Sequence, residues 1–451
     1  MSARARPPVL PPPPSPQLPP VHRHRLANGL DVHLVERREL PVIDARLVIR
    51  GGAYGDVPER AGRAYMVGDL LDQGTTTRSA LDIAHQAELL GASLETRASW
   101  DAFAAALHVL TPRIEPALEL LADVVLRADF PPPEIERRTC ERLAAILQER
   151  DEARTVATQA FSRHAYGAAH PFAAPLGGTR ESIEVLQRAD LTGLYKARFS
   201  PVNAFLVLVG DITARAALPM LDRLFAAWSA PAVEPAPAFE VLPQTTTAVH
   251  IVDRPAAPQS ELRIGLPGPR RDTEDYFALL VANTILGGAF TSRLNMRLRE
   301  EKGYTYGAGS SFALRAGGGP FMASTAVATA ATADAVDVIV TEIARMADEA
   351  VPVAELERAK SYIVLGLPRT FETTGDIAEH VSEVALFGLA ADYYDTYAAH
   401  VRAVSASDVR AASARWLKRD RLTIAIAGDG SSVMGDMDSL KIGAVHVDEN
   451  G

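Results

Sequence analysis

Hydrophobic and polar residues alternate along two stretches near the start of the chain. Asp31–Glu36 and Val42–Arg50 carry apolar side chains at every second position, and an Asn28-Gly29 turn precedes them. A period of two is typical of a strand with one buried face. The pattern therefore predicts two adjacent β-strands that open a domain.

Helical spacing of apolar residues follows these strands. In 61–75, AGRAYMVGDLLDQGT, the spacing predicts a helix that ends at Gly74, a common C-cap residue. Ser79 is predicted to cap a second helix that runs to Leu90. Further predicted elements of this half are strands on either side of 99–101, helices over 114–125 and 135–147, a helix that begins at Asp190, and a buried strand over 204–209.

The same pattern starts again in the second half. AVHIVDRP at 248–255 and ELRIGLPGP at 261–269 correspond to the two opening strands, a helix over 276–286 corresponds to the first helix, and LTIAIAGDG at 422–430 corresponds to AFLVLVGDI. This repetition predicts two copies of one α+β unit. We expect domains at 21–230 and 246–435, a proline-rich linker at 231–245, a disordered proline-rich segment at 1–20 and a loose tail at 436–451.

Composition limits the possible partners. The chain has 451 residues with a net charge of -10, and such an acidic surface does not attract nucleic acid. The sequence shows no run of 18 or more apolar residues, so we predict no membrane span. The single Cys140 excludes an intrachain disulfide. Without a recognisable signal-peptide core we expect a cytoplasmic protein, or a periplasmic one if an export signal was removed.

One stretch, LGGAFTSRLNMRLREEKGYTYGAGSSF at 286–312, suggests chemistry. It predicts a helix that ends at Gly303 and a strand from Tyr304 to Phe312. Arg299 lies at the helix end and Tyr306 in the strand, so both side chains can donate hydrogen bonds to one peptide carbonyl. The alternative is that Arg299 is a solvated cation and Tyr306 a half-buried strand aromatic.

Several blocks in order carry a family resemblance. They are LANGLDVHLVE, GGAYGDVPERAGRAY, LLDQGTT, YGAAHPFAAPLGGT, YKARFSPVNAFLVLVGDI and LNMRLREEKGYTYG. Together they resemble the pitrilysin-like M16 metallopeptidases, in particular the short bacterial type in which two two-domain chains enclose a chamber. The resemblance implies two LuxS/MPP-like α/β sandwich units, each with a largely antiparallel sheet packed with helices.

The zinc motif of that family is degenerate in this chain. Catalytic members carry HxxEH on the first helix, where two histidines hold zinc and the glutamate activates water, and a later glutamate completes the site. The matching positions here hold Tyr65, Gly68 and Asp69, and the distal carboxylate corresponds to Glu149. We therefore expect no metal at this motif and no cofactor bound by this chain.

The other half of the family's site is retained. By resemblance, Arg299 and Tyr306 reach across the chamber to hold the substrate carbonyl at a partner's zinc. This implies a non-catalytic subunit, inactive alone, that pairs with a homologous HxxEH subunit carrying Zn²⁺ to cleave peptides or unfolded polypeptides. Two alternatives stay open: a purely structural subunit like the M16-derived core proteins of respiratory complexes, and a homodimeric peptide-binding protein without catalysis.

Overall fold

A computed structural model describes residues 19–229, 233, 239–241 and 244–448 of the protein. The predicted disordered segment at 1–20 lies outside the described residues except for its last two positions. The predicted linker at 231–245 lies largely outside them as well.

The first half forms a six-stranded sheet with helices. The strands of this sheet, sheet 1, are β1 (His22–Arg25), β2 (Asp31–Glu36), β3 (Val42–Arg50), β4 (Ser93–Ala98), β5 (Ala102–Leu110) and β6 (Ala204–Gly210), and their order is β1-β2-β6-β3-β5-β4. The helices of this half are α1 (Arg63–Leu70), α2 (Ala80–Leu90), α3 (Ile114–Leu126), α4 (Pro132–Glu149), α5 (Ala153–Tyr166), α6 (Arg180–Glu184), α7 (Arg188–Arg198) and α8 (Ala214–Phe225).

The second half repeats this plan. The strands of sheet 2 are β7 (Ala248–Asp253), β8 (Gln259–Pro267), β9 (Ala308–Phe312), β10 (Pro320–Ala328), β11 (Thr423–Gly428) and β12 (Ala444–Asp448), in the order β12-β7-β11-β8-β10-β9. The helices are α9 (Tyr276–Asn283), α10 (Arg293–Asn295), α11 (Thr332–Asp348), α12 (Val353–Gly366), α13 (Thr374–Phe387), α14 (Tyr393–Ala403), α15 (Ala406–Trp416) and α16 (Gly430–Leu440).

Five strands of each sheet share one topology, which confirms the α+β fold with two repeated units. β2 runs parallel to β6 as β7 runs parallel to β11, and the remaining three strands of each set are antiparallel to their neighbours. The sixth strand differs between the two sheets. β1 is antiparallel to β2, whereas β12 is parallel to β7.

The prediction that the two opening strands are adjacent is wrong. β6 lies between β2 and β3, parallel to the first and antiparallel to the second. Its residues 204–210 are buried throughout, as expected for a central strand. The same arrangement holds in sheet 2, where β11 separates β7 from β8. In each sheet, two strands that are consecutive in the sequence are thus separated by a strand from much later in the chain.

Two predicted boundaries also differ from the structure. α1 ends at Leu70, and Gly74 instead takes a φ of 141° and forms a bridge with Ser79. α7 begins at Arg188, and Asp190 is the third residue of the helix, where its carboxylate accepts the Gln187 N–H. The predicted helix capped by Ser79 is confirmed, with a capping box to Asp82.

The predicted loose tail is wrong for its described part. Residues up to Leu440 belong to α16, and β12 adds Ala444–Asp448 to the edge of sheet 2. The second half therefore extends to Asp448 rather than ending at 435. Val433 and Met437 of α16 are buried in its core, which explains why this segment is ordered.

Each half supplies one helix to the sheet of the other half. Val156, Ala157 and Phe161 of α5 belong to a buried cluster with Val252 of β7 and with β11 of sheet 2. In return, α13 packs against β3 and β6 of sheet 1. The two sheets are thus joined by a reciprocal exchange of helices, and the space between the halves is lined by side chains of both.

One helical run of the described chain is long and apolar enough to cross a membrane by length and composition alone. It spans Tyr276–Glu301 and includes wider turns at Thr284–Gly288 and Met296–Glu301. More than half of its most apolar window, 56%, is buried within the protein. Leu279, Leu286 and further residues of this run belong to the core of the second half, as in a core helix.

Candidate functional site

A cleft lies between the two halves. One cavity of about 880 Å³ is lined by Tyr65 and Glu149 of the first half and by residues of β9 and β10. A second cavity of about 960 Å³ is lined by Tyr306 and the loop before β9. The two share Arg154, Thr158 and Met322, so they form one continuous cleft. This cleft joins the degenerate zinc motif to the predicted carbonyl-binding corner.

The α1 face that carries the degenerate motif is covered by arginines of α4. Arg142 places its guanidinium carbon 5.6 Å from the centre of the Tyr65 ring, and Arg138 Nε lies 3.4 Å from Asp69 Oδ2. Tyr65 and Asp69 are four residues apart, as are Arg138 and Arg142, so the two helices match turn for turn. Burial raises the pKa of Asp69, and the positive charge of Arg138 partly offsets this rise.

Glu149 is held by the same arginine. Arg142 Nη1 and Nη2 donate to the two carboxylate oxygens of Glu149 at 2.6 and 3.1 Å, and Arg142 Nε donates to the Gly177 carbonyl at 2.9 Å. Arg142 was not recognised from the sequence. Its position seven residues before Glu149, two turns along α4, is the signal that identifies the pair.

Gly68 allows α1 to lie directly on β4. A Cβ at this position would stand 2.4 Å from the backbone nitrogen of Ala98 and 2.6 Å from the carbonyl carbon of Arg97. Distances this short require the backbone to shift. The residue at the family's general-base position is therefore a glycine that the helix-to-strand packing requires.

These residues do not fit a zinc ion. Tyr65 offers a neutral phenol, Gly68 offers no side chain, and the two carboxylates are already paired with guanidinium groups. Zinc in proteins is bound by imidazole, thiolate and free carboxylate donors. A guanidinium between Tyr65 and Glu149 would also repel a dication. No chemistry of this chain is therefore assigned to a metal at the α1 motif.

The strand was predicted to begin at Tyr304 and so to include Tyr306, but in the structure Tyr306 lies before the strand. β9 begins at Ala308, and Tyr306 is 95% exposed at the cleft. The loop is nevertheless anchored, because Thr325 Oγ1 of β10 donates to Thr305 Oγ1 at 3.0 Å and to the Gly307 carbonyl at 3.1 Å. The alternative interpretation, that Tyr306 is a half-buried strand aromatic, is thus wrong, and the phenol is presented to solvent on an anchored turn.

Arg299 ends the helical run that precedes this loop. Its guanidinium carbon lies 4.7 Å from the centre of the exposed Phe290 ring, and its Nε lies 3.4 Å from Glu300 Oε1. Among the described residues, no hydrogen bond or ion pair joins Arg299 to Tyr306. The convergence of both side chains on one carbonyl therefore stays a prediction.

Comparison with known proteins agrees with the fold. Residues 33–179 match the family described as Insulinase (Peptidase family M16), and residues 186–363 match the Peptidase M16 inactive domain. An uncharacterized zinc protease of Mycobacterium leprae is 28% identical over 318 residues, covering 68% of this chain and 70% of the relative. The uncharacterized zinc protease YmxG of Bacillus subtilis is 23% identical over 286 residues, covering 63% and 68%.

Two solved structures extend the likeness to nearly the whole chain. The peptidase M16 inactive domain from Pseudomonas fluorescens is 27% identical, with a TM-score of 0.82 over 91% of this chain and 98% of that one. A protease from Helicobacter pylori shares the fold, with a TM-score of 0.83 and 18% identity over 91% and 100% of the two chains. The two matched regions together cover most of the sequence, and the chain belongs to peptidase family M16.

Proposed function

We propose that this chain is the zinc-free subunit of a heterodimeric M16-type metallopeptidase. It supplies half of a peptide-binding chamber, and Arg299 and Tyr306 hold the substrate carbonyl at the zinc of a homologous HxxEH partner. The observation that carries this proposal is the contrast along one cleft. Arginines cover the α1 motif, whereas the Tyr306 phenol is 95% exposed on an anchored turn.

The exposure of Tyr306 favours a role toward a second molecule. A tyrosine that only stabilised this fold would bury its ring, because burial of an aromatic side chain contributes about 1.5–3 kcal/mol. In a closed chamber, a phenol and a guanidinium could donate hydrogen bonds to the carbonyl oxygen of a bound peptide and stabilise negative charge on it. The partner would provide the zinc, the water and the general base.

The substrate proposed for this cleft is an extended peptide. β9 is the outer strand of sheet 2, and Ser311 of β9 lines the cavity that also contains Tyr65. An edge strand has backbone groups that can pair with an added strand. Arg154 and Glu152 line the same cavity and present charge along such a peptide. Peptides or unfolded segments fit this mode, whereas folded proteins do not present the required backbone.

The test is reconstitution with an M16 homologue that carries HxxEH. The two chains are purified separately and mixed, and we measure particle mass, bound zinc and cleavage of a fluorogenic peptide. A 1:1 complex that cleaves, with each chain inactive alone, is expected. A partner variant with the HxxEH glutamate changed to glutamine is the control and should assemble without cleaving.

Three results would contradict the proposal. Zinc-dependent cleavage by this chain alone would show that it carries its own active site. Assembly with the partner without any gain in cleavage would favour a structural subunit. A stable homodimer that binds peptides and rejects the partner would favour a peptide-binding protein.

A further inference from the structure

A cluster of histidines and an aspartate lies away from the α1 motif. His164 of α5, His250 of β7 and Asp448 of β12 each offer one ligand atom, and these atoms lie within 4.8 Å of one another. Asp448 Oδ2 is 2.8 Å from His164 Nε2, and Asp448 Oδ1 is 3.9 Å from His250 Nδ1. The cluster therefore joins the helix that the first half supplies to two neighbouring strands of sheet 2.

The strand register explains why these side chains meet. β12 pairs with β7 in parallel, and His446 is the register partner of His250. Asp448 is two residues beyond His446 and so lies on the same face of the sheet. α5 packs against β7 in the cluster that joins the two halves, which places His164 next to His250.

Two features of His250 suit it to binding a ligand. Its Nδ1 is buried and has no hydrogen-bond partner, since the Asp448 carboxylate at 3.9 Å is too distant. Its ring also stacks on His164 with centroids 3.5 Å apart and planes 8° from parallel. Aromatic rings prefer offset or edge-to-face contacts, so this stack offers little stabilisation of its own.

The chemistry of the group suits a transition metal. Two imidazoles and a carboxylate are a common zinc donor set, and His446, whose ring centre is 5.3 Å from that of His250, is available as a fourth ligand. Tetrahedral zinc requires ligand atoms about 3.3 Å apart. The three ligand atoms here lie within 4.8 Å of one another, so binding requires the two imidazole rings to turn toward the ion.

We propose that His164, His250 and Asp448 form a structural Zn²⁺ site that fastens the C-terminal strand β12 to β7 and to α5. The ion would bind His250 Nδ1, which has no hydrogen-bond partner, and would hold α5, β7 and β12 together. This site does not depend on the proposed peptidase role, and its zinc is distinct from the zinc expected in the partner.

Metal binding by the full-length chain tests this proposal. The protein is treated with a chelator, dialysed and titrated with Co²⁺, whose tetrahedral complexes absorb strongly in the visible range, and then with Zn²⁺ in competition. One equivalent of either ion is expected to bind. His250→Ala and Asp448→Asn should each weaken binding at least tenfold.

His108→Ala is the matched control, because His108 also pairs with an aspartate, Asp44, at 3.1 Å but belongs to no three-residue cluster in the described chain. It should bind metal like the wild type. Asp448→Asn keeps the shape of the side chain, so it decides the question if His250→Ala does not fold. The absence of stoichiometric binding by the wild type, or binding by both ligand variants as tight as that of the wild type, would overturn the proposal.

A second measurement reports the structural role. Hydrogen exchange of the amides in β12 should slow when Zn²⁺ is added to the wild type and should not change in Asp448→Asn. Zinc binding without protection of β12 would contradict the fastening role.

Discussion

Arg142 contacts Glu149 through both terminal guanidinium nitrogens, at 2.6 and 3.1 Å. The same guanidinium lies 5.6 Å from the centre of the Tyr65 ring. In this cleft, a cation thus connects Tyr65 and Glu149, which by resemblance match two positions of the family's zinc motif. The Arg142 guanidinium supplies the positive charge next to Glu149 that a metal ion would supply in a zinc site.

Arg142→Ala should destabilise the fold by about 1–3 kcal/mol, because Glu149 and the Gly177 carbonyl lose their donor in a partly enclosed site. Urea unfolding measures the difference. Arg137→Ala is the control: Arg137 pairs with Glu134 and Glu141 on the exposed face of α4, where an ion pair contributes about 0–1 kcal/mol. Equal losses for the two variants would contradict the assigned role of Arg142.

Gly68→Ala should cost about 1–3 kcal/mol, because a Cβ there meets the β4 backbone at 2.4 Å. Gly193→Ala is a matched change within another helix, where a Cβ meets nothing within 4 Å. It should stabilise the protein by about 0.4–1 kcal/mol by restricting the unfolded chain. Thermal unfolding that shifts in the same direction for both would show that α1 does not rest on β4 at this glycine.

Arg299→Ala and Tyr306→Phe should each lower the kcat of the reconstituted complex by about 10²-fold, since each removes one donor to the developing oxyanion. The midpoint of thermal unfolding should not change, because the Tyr306 side chain is exposed and Arg299 is partly so.

Arg180→Ala and Tyr362→Phe are exposed changes outside the cleft and should leave kcat unaltered. If the Arg299 and Tyr306 variants behaved like these controls, the proposed carbonyl-binding role would be wrong, while the family assignment would stand.

Acid should weaken the fold through His170. Burial lowers the pKa of His170 to about 4, and its Nδ1 accepts the Phe172 N–H at 3.1 Å, which requires a neutral ring. The unfolded chain binds this proton near pH 6.5 and the folded chain near pH 4. The stabilisation is therefore complete above about pH 6.5 and falls by up to about 3 kcal/mol as the pH drops to 4.

His170→Asn isolates this effect. An asparagine can accept the same backbone N–H without titrating, so the variant should lose less stability between about pH 6.5 and 4 than the wild type. Other histidines titrate in both proteins and cancel in the difference. Parallel pH profiles for the two proteins would contradict the prediction.

Local pattern was sufficient to predict most strands and the repeat of the two halves. Asp31–Glu36 and Val42–Arg50 are strands at the predicted bounds, because alternation reports which side chains face the core. Local pattern did not show which strands pair with each other in the sheet. β6 enters between them from a distant part of the chain, and strand pairing depends on tertiary packing rather than on local sequence.

The residue types of the α1 motif can be read from the sequence, whereas the contacts of these residues cannot. Sequence identified Tyr65, Gly68 and Asp69 as unable to form the family's zinc site, and the structure brings arginines of α4 to two of these positions. Arg142 was missed because α4 carries several arginines and only packing shows which one faces α1. Tyr306 was placed in a strand because glycines and tyrosines do not mark where pairing begins.

Because the two halves exchange helices, the first half cannot complete its packing until the second half has been synthesised. Phe161 of α5 leaves the ribosome well before Ala425 of β11, its partner in the buried cluster, has been made. At about 5–20 residues per second, the apolar face of α5 waits on the order of tens of seconds for its sheet. A nascent first half therefore exposes the apolar face of α5, and it acquires its final packing when nearly the whole chain has been translated.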